Sequence, residues 1–213
     1  MNEALKSVDW EKARIMLGLL ESVERGGEQS QRRLASELGV ALGLVNAYLK
    51  RCIKKGLVKV RQAPARRYAY YLTPNGFSEK SRLTIEYMSY SFTWFRRAKT
   101  DCMAALAVAR ERGFGRIALL GASDLAEIAA ICALDTGVGI VAVVDAKYVA
   151  PRFAGSPVMH DFDAIANSVD AVLVTDMQAA DAIRRLAVDR FGSERVLMPA
   201  LLDVRPDRQR GAA

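Results

Sequence analysis

The sequence predicts a two-domain α/β chain: a small unit of helices with a β-hairpin, then a parallel sheet. Three observations predict it. Two helices of apolar periodicity flank a tight Gly-containing turn and lead into two short strands. The second half alternates short apolar strands with helices, the pattern of a parallel sheet. The charge is also partitioned: among the 213 residues, windows 1–50, 51–100 and 101–213 carry net charges of 0, +10 and −3. The whole excess of +7 therefore sits in one stretch of fifty residues. A localised basic block on an otherwise neutral chain points to a polyanion, most often nucleic acid, and argues against a uniformly basic, histone-like protein.

Composition narrows the class further. With 51% hydrophobic and 26% charged residues the chain is globular. Three dispersed cysteines (Cys52, Cys102, Cys132) and one histidine (His160) provide neither metal-ligand spacing nor a disulfide framework. No metal site is expected, and the expected compartment is a reducing cytoplasm. Met1 to Lys12 carries charges of both signs and no apolar segment, so no signal peptide is expected. The most apolar stretch, 117–144, is broken by Asp124, Glu127 and Asp135 and does not read as a membrane span.

The elements follow in order. Trp10 to Val23 has apolar residues at Trp10, Ala13, Ile15, Met16, Leu19, Leu20 and Val23, helical spacing with one apolar face, and Gly26-Gly27 ends it. Ser30 is a candidate cap for a helix from Gln31 to Leu38, with Leu34, Ala35 and Leu38 inward. Gly39-Val40 makes the turn. A second helix, about Ala41 to Lys55, turns Val45, Leu49 and Cys52 inward, which makes Cys52 a core residue. Helix, tight turn, helix over some 25 residues is helix-turn-helix spacing. Leu57 to Arg61 then alternates apolar and basic residues, 62–65 is a turn, and Arg66 to Leu72 is an aromatic-rich strand. Two strands after a recognition helix make a wing, so residues 1–76 read as a winged helix-turn-helix (α+β) domain.

With one face of the second helix buried, Gly43, Asn46, Ala47, Lys50, Arg51 and Lys54 point outward. Asn pairs bidentately with adenine, and Lys contacts guanine or phosphate. The small Gly43 and Ala47 allow close approach to base edges. Arg61, Arg66 and Arg67 flank the wing tip, within reach of phosphates or the minor groove. These nine residues are the DNA-binding candidates, with double-stranded DNA the expected partner.

The segments Leu34-Ala35-Ser36-Glu37-Leu38-Gly39-Val40, Val45-Asn46-Ala47-Tyr48-Leu49-Lys50, Lys55-Gly56-Leu57-Val58 and Tyr68 to Gly76 resemble MarR-type winged-helix regulators, above all the subgroup associated with exopolysaccharide gene clusters. The resemblance covers roughly residues 10–95. It implies a transcriptional regulator that dimerises through its terminal helices. Residues 77–113 suit that role as a helical linker, with Pro74 in the first turn and apolar residues crowded between Leu83 and Phe95. The pattern alone leaves open whether one helix or two fill this segment.

Residues 114–204 read as a Rossmann-like parallel sheet, and 205–213 as a flexible tail. Arg116 to Leu120 is a buried strand, Ala122 to Leu134 a helix, Gly139 to Val144 a second strand, and 164–167 a short helix. Asp170 to Val174 is a third strand, Met177 to Phe191 a helix, and Arg195 to Met198 a fourth strand. The first turn keeps Gly121 and Ala126 of the G-x-G-x-x-G/A pattern but has Ser123 in place of the second glycine. Ser123 is placed to donate to a phosphate at a helix N-terminus, Asp124 adds negative charge there, and Asp145 ends the second strand where an acid binds ribose. Thr175, ending the third strand, completes the ligand-binding candidates. His160 reads as an exposed loop residue.

About residues 113–202 resemble two families: the nucleotide-sugar-binding N-terminal domain of bacterial sugar O-acetyltransferases, and the CoA/NAD-binding domain of winged-helix redox repressors. Ala154-Gly155-Ser156-Pro157-Val158, Asp163-Ala164-Ile165 and Met198-Pro199-Ala200 fit both. The resemblance implies a nucleotide-sugar, NAD(H) or CoA as the effector. The expected function is a dimeric DNA-binding regulator that senses a nucleotide-type ligand. The alternatives are a ligand-free regulator whose α/β domain dimerises or docks a partner, and a small nucleotide-sugar- or NAD-dependent enzyme. Only 92 residues follow Gly121, with no Tyr-x-x-x-Lys pair and no Ser/His/Asp arrangement, so no catalytic residue is assigned and no enzyme is expected.

Overall fold

The computed structural model describes residues 2–26, 30–63 and 67–203. The chain divides into two compact units, 1–92 and 93–213, with the division inside one helix.

The first unit opens with α1 (Asn2–Glu24), α2 (Gln31–Leu38) and α3 (Leu42–Lys54). A hairpin of β1 (Val58–Ala63) and β2 (Arg67–Leu72) follows. α1 begins earlier than its apolar periodicity suggests, and Gly27 lies outside the described residues. Ser30 caps α2, its hydroxyl accepting from the Arg33 amide. Leu34, Val45, Leu49 and Cys52 are buried with Leu19 and Leu20 of α1, and Ala35 and Leu38 pack at the margin. The Cys52 thiol lies 3.1 Å from the Met16 sulfur, and burial pushes its pKa up to about 11, so it is an inert core group. α1 and α2 are tied at the surface by Glu37, which accepts from Ser22 at 2.6 Å and from Arg33 at 2.8 Å. Gln31 donates to the Tyr70 hydroxyl at 3.1 Å, which holds β2 against α2.

The hairpin is closed at its base by Thr73. Its hydroxyl donates to the Gly56 carbonyl at 2.6 Å and accepts from the Gly76 amide at 3.0 Å, while its amide donates to the Leu57 carbonyl. One side chain therefore joins the end of α3 to the start of α4 (Pro74–Glu111). Gly76 is required here by space: a Cβ would fall 2.1 Å from the Leu57 carbonyl oxygen. The helical linker is one uninterrupted 38-residue helix.

The second unit holds a six-stranded sheet. Its strands are β3 (Arg116–Leu120), β4 (Gly139–Val144), β5 (Arg152–Phe153), β6 (Ser156–Met159), β7 (Ala171–Val174) and β8 (Val196–Leu197). The order across the sheet is β5-β6-β4-β3-β7-β8, and every pairing is parallel except β5 with β6. α5 (Asp124–Thr136) and α6 (Ala180–Phe191) connect strands, and the last turns of α4 share the core through Ala98, Cys102, Leu106 and Ala109.

Three features correct the sequence reading. The sheet has six strands rather than four, because β5 and β6 form in the 150–159 segment and β6 pairs with β4. α6 starts at Ala180, not Met177, because the Asp176 carboxylate accepts from the Gln178 and Ala179 amides at 2.7 and 2.6 Å and holds them out of the helix. The short helix at 164–167 is a single 3-10 turn, Asp163–Ile165. Among the described residues, no helix is long and apolar enough to cross a membrane.

Thr73→Ala removes both the cap and the tie to Gly56. It is expected to destabilise the first unit by about 1–2 kcal/mol. Gly76→Ala is expected to cost more, about 3 kcal/mol, because the Leu57 carbonyl must move. Thermal unfolding of the full chain, followed by circular dichroism, checks both values and their order.

Candidate functional site

The first candidate surface is built on α3. Its buried face fixes its rotation: Val45, Leu49 and Cys52 are at most 1% exposed. Gly43, Ala47, Lys50, Arg51 and Lys54 are consequently exposed on the opposite side, with Asn46 half-buried beside them. These six positions recur every three or four residues and form one stripe. Arg51 and Lys54 lie in the last turn, where a cation also complements the helix dipole.

The hairpin adds to this surface. Lys59 stands opposite Tyr71 and Arg61 opposite Ala69, so the two cations share one face. Val58 and Tyr70 lie on the other face, buried in the core. Ile53 at the end of α3 lines an open cleft together with Lys59, Val60, Arg61 and Tyr71. The wing cations Lys59 and Arg61 therefore share a cleft with the exposed Tyr71 ring and with Ile53, the neighbour of Lys54 on α3. Arg66 and the side chain of Arg67 lie outside the described residues. Lys59 and Tyr71 were not singled out from sequence. The alternation of Leu57 to Arg61 carried the signal for Lys59, while the strand pairing that brings Tyr71 beside it is tertiary.

The second candidate is the turn after β3. The structure brings Gly121, Ser123, Asp145 and Thr175 together at the ends of β3, β4 and β7. Gly121 has φ +106°, and a Cβ there would lie 2.7 Å from the Asp176 backbone, so this glycine serves the approach of two strand ends. Thr175 is fully buried, and its hydroxyl donates to the Gly121 carbonyl at 2.8 Å. The Ser123 hydroxyl donates to the Thr175 carbonyl at 2.7 Å and accepts from the Ala126 amide at 3.3 Å as the cap of α5. Asp124 is exposed in the first turn of α5.

Asp145 accepts from the Ala122 amide through Oδ2 at 3.0 Å, and from the Lys147 and Tyr148 amides through Oδ1 at 2.8 and 3.2 Å. Burial works against its ionisation, but these three amides outweigh it and hold the carboxyl below its ordinary value. His160 is exposed, and its Nδ1 lies 3.1 Å from the Asp145 carbonyl oxygen. Ser123, Asp145 and Thr175 thus each have internal partners. The arrangement locks three strand ends together.

Asp145→Asn puts an amide where the Ala122 N–H needs an acceptor, and is expected to cost about 1–3 kcal/mol at neutral pH. A lowered native pKa means that the wild-type carboxylate contributes fully above about pH 4 and loses its contribution as pH falls through the native value. The stability gap between wild type and variant should therefore narrow below pH 4. Urea unfolding at pH 7, 5 and 3.5 measures it.

A family model described as winged helix-turn-helix DNA-binding matches residues 13–59, from within α1 to the start of β1. No curated relative matches the chain. The match covers the element that carries the exposed α3 stripe, and residues 13–59 form a winged helix-turn-helix DNA-binding domain.

Proposed function

We propose that the chain is a DNA-binding transcriptional regulator, acting as a dimer, with α3 as its recognition helix. One observation carries this reading: the stripe from Gly43 to Lys54 is exposed opposite the buried face of α3, and Lys59 and Arg61 line a cleft on the wing that reaches Ile53 at the end of the same helix. The resemblance of the first half to MarR-type regulators of exopolysaccharide clusters supports polysaccharide biosynthesis genes as targets and a cytoplasmic site of action.

The C-terminal unit supports two readings. Numbered by appearance, its five parallel strands run 3-2-1-4-5, the order of dinucleotide-binding sheets, whose ligands bind at the crevice between strands 1 and 4. Gly121, Ser123, Asp124, Asp145 and Thr175 border that crevice, which supports a Rossmann-like sensor for a nucleotide-sugar, NAD(H) or CoA. In such a sensor the ligand shifts the population of dimer arrangements. The internal partners of Ser123, Asp145 and Thr175 favour the second reading, a ligand-free α/β scaffold. A thermal-shift screen separates the two: a ligand at about 100 times its Kd adds about 2.7 kcal/mol of stability, and no shift with any of the three classes leaves the scaffold.

The DNA reading is tested by fluorescence anisotropy against the protein's own upstream region, across a salt series. Arg51→Ala and Arg61→Ala are each expected to lower the log–log salt slope by about 1, with little change in sequence preference. Asn46→Ala is expected to cost about 1–3 kcal/mol and to relax preference at one base pair. No binding by the wild type at low salt overturns the reading.

A further inference from the structure

The leading turn of α3 is apolar and uncovered. Leu42 and Leu44 are 42 and 39% exposed, and neither belongs to the core of the first unit or to its partly buried margin. Ala41, Gly43 and Ala47 are exposed around them. The cations of the helix, Lys50, Arg51 and Lys54, all stand in its second half, and α3 carries no acidic residue. A single exposed leucine is ordinary on a protein surface. Two on the first turn of a helix whose trailing half is cationic divide that helix into an apolar end and a charged end.

We propose that Leu42 and Leu44 read the C5-methyl groups of thymines in the major groove. The inference rests on the DNA reading above and deepens it by naming the base feature that α3 takes. In helix-turn-helix docking the N-terminal residues of the second helix face the base edges. Here those residues offer no hydrogen-bonding side chain before Asn46. Thymine alone among the four bases presents a methyl group in the major groove. A leucine against that methyl buries apolar surface on both sides. A leucine over a cytosine amino group or a guanine carbonyl strips it of water and offers no partner, which leaves a polar group unsatisfied. The same side chain therefore favours one base and penalises its competitors.

The shape of the helix permits the contact. Gly43 and Ala47, four residues apart, form a strip without bulk, and at about 3.6 residues per turn Leu42 and Leu44 fall on either side of it. The helix can sit close to the bases while its two leucines reach to left and right. Asn46 lies four residues after Leu42 on the same flank, so an adenine edge held by its amide falls next to the methyl that Leu42 covers. Lys50, Arg51 and Lys54 are left for phosphates, which position the helix and carry no sequence information.

The test uses the full chain and a duplex that it selects from a random-sequence pool. Each thymine of the bound region is replaced in turn by deoxyuridine, which lacks only the methyl group. Fluorescence anisotropy at one fixed salt concentration should show binding about 4-fold weaker at one or two of these thymines. Leu42→Ala and Leu44→Ala, each checked for an unchanged melting temperature, should bind the thymine and deoxyuridine duplexes equally at the position that the leucine covers. A deoxyuridine loss that both variants retain overturns the assignment to these leucines. Deoxyuridine duplexes bound as tightly as thymine ones, or a selected site without thymine, overturn the inference and leave the DNA reading standing. Failure to select any duplex overturns the DNA reading and this inference with it. If one alanine variant unfolds, the other decides together with the deoxyuridine series on the wild type.

Discussion

The return of the chain from the wing to the end of α3 is the constraint on which the DNA-facing surface depends. Thr73 holds the Gly56 carbonyl, its backbone holds Leu57, and its hydroxyl receives the Gly76 amide. The wing therefore cannot rotate away from the recognition helix without breaking the first turn of α4. The absence of a side chain at Gly76 lets α4 start against the Leu57 carbonyl rather than at a distance from it. Lys59 and Arg61 owe their position beside Ile53 to this junction more than to any contact of their own.

The C-terminal unit applies the same logic to a different end. Polar groups gathered at the carboxyl ends of parallel strands are a common route to a binding crevice. Here they first satisfy the backbone: Thr175 meets Gly121, Ser123 meets Thr175, and Asp145 meets Ala122, Lys147 and Tyr148. A buried hydroxyl or carboxylate without such partners costs free energy, so a sequence with Ser123 in place of glycine gains a firm turn and loses close access to the backbone. A ligand at this crevice must share Asp145 with three amides or displace them, which sets a high threshold for binding.

Legibility from sequence follows how local the determining interaction is. α2, its Ser30 cap and the inward set Val45, Leu49 and Cys52 were readable because apolar periodicity, cap and terminator all lie within one helical length. β5 and β6 were not, because Arg152-Phe153 and Ser156 to Met159 are short, surround an Ala-Gly turn, and acquire strand character from pairing with each other and with β4. The late start of α6 has a local cause, the Asp176 carboxylate, but helix-forming composition from Met177 onward conceals it. The candidate ligand turn shows the limit most plainly. Spacing identified Gly121, Ser123 and Asp145 as neighbours, and only the structure says which atoms they already hold.

The basic window acquires a sharper meaning once its charges are assigned. Lys80 is paired with Glu24, and Arg82 with Glu79 and Glu86, so these two cations serve the first unit's own surface and helix. Exposed surface pairs of this kind contribute little to stability but do cancel field. Arg51, Lys54, Lys59 and Arg61 lie instead on the exposed side of α3 and the wing, where their fields add. Arg96, Arg97 and Lys99 belong to a different stretch of α4. Nine of the window's twelve cations therefore fall into three environments, and of these only the group on α3 and the wing has the geometry of a groove-binding surface. A polyanion attracted by total charge would not distinguish these groups. A duplex read by a helix and a wing must, because only one of them is built around a helix whose opposite face is locked into a core.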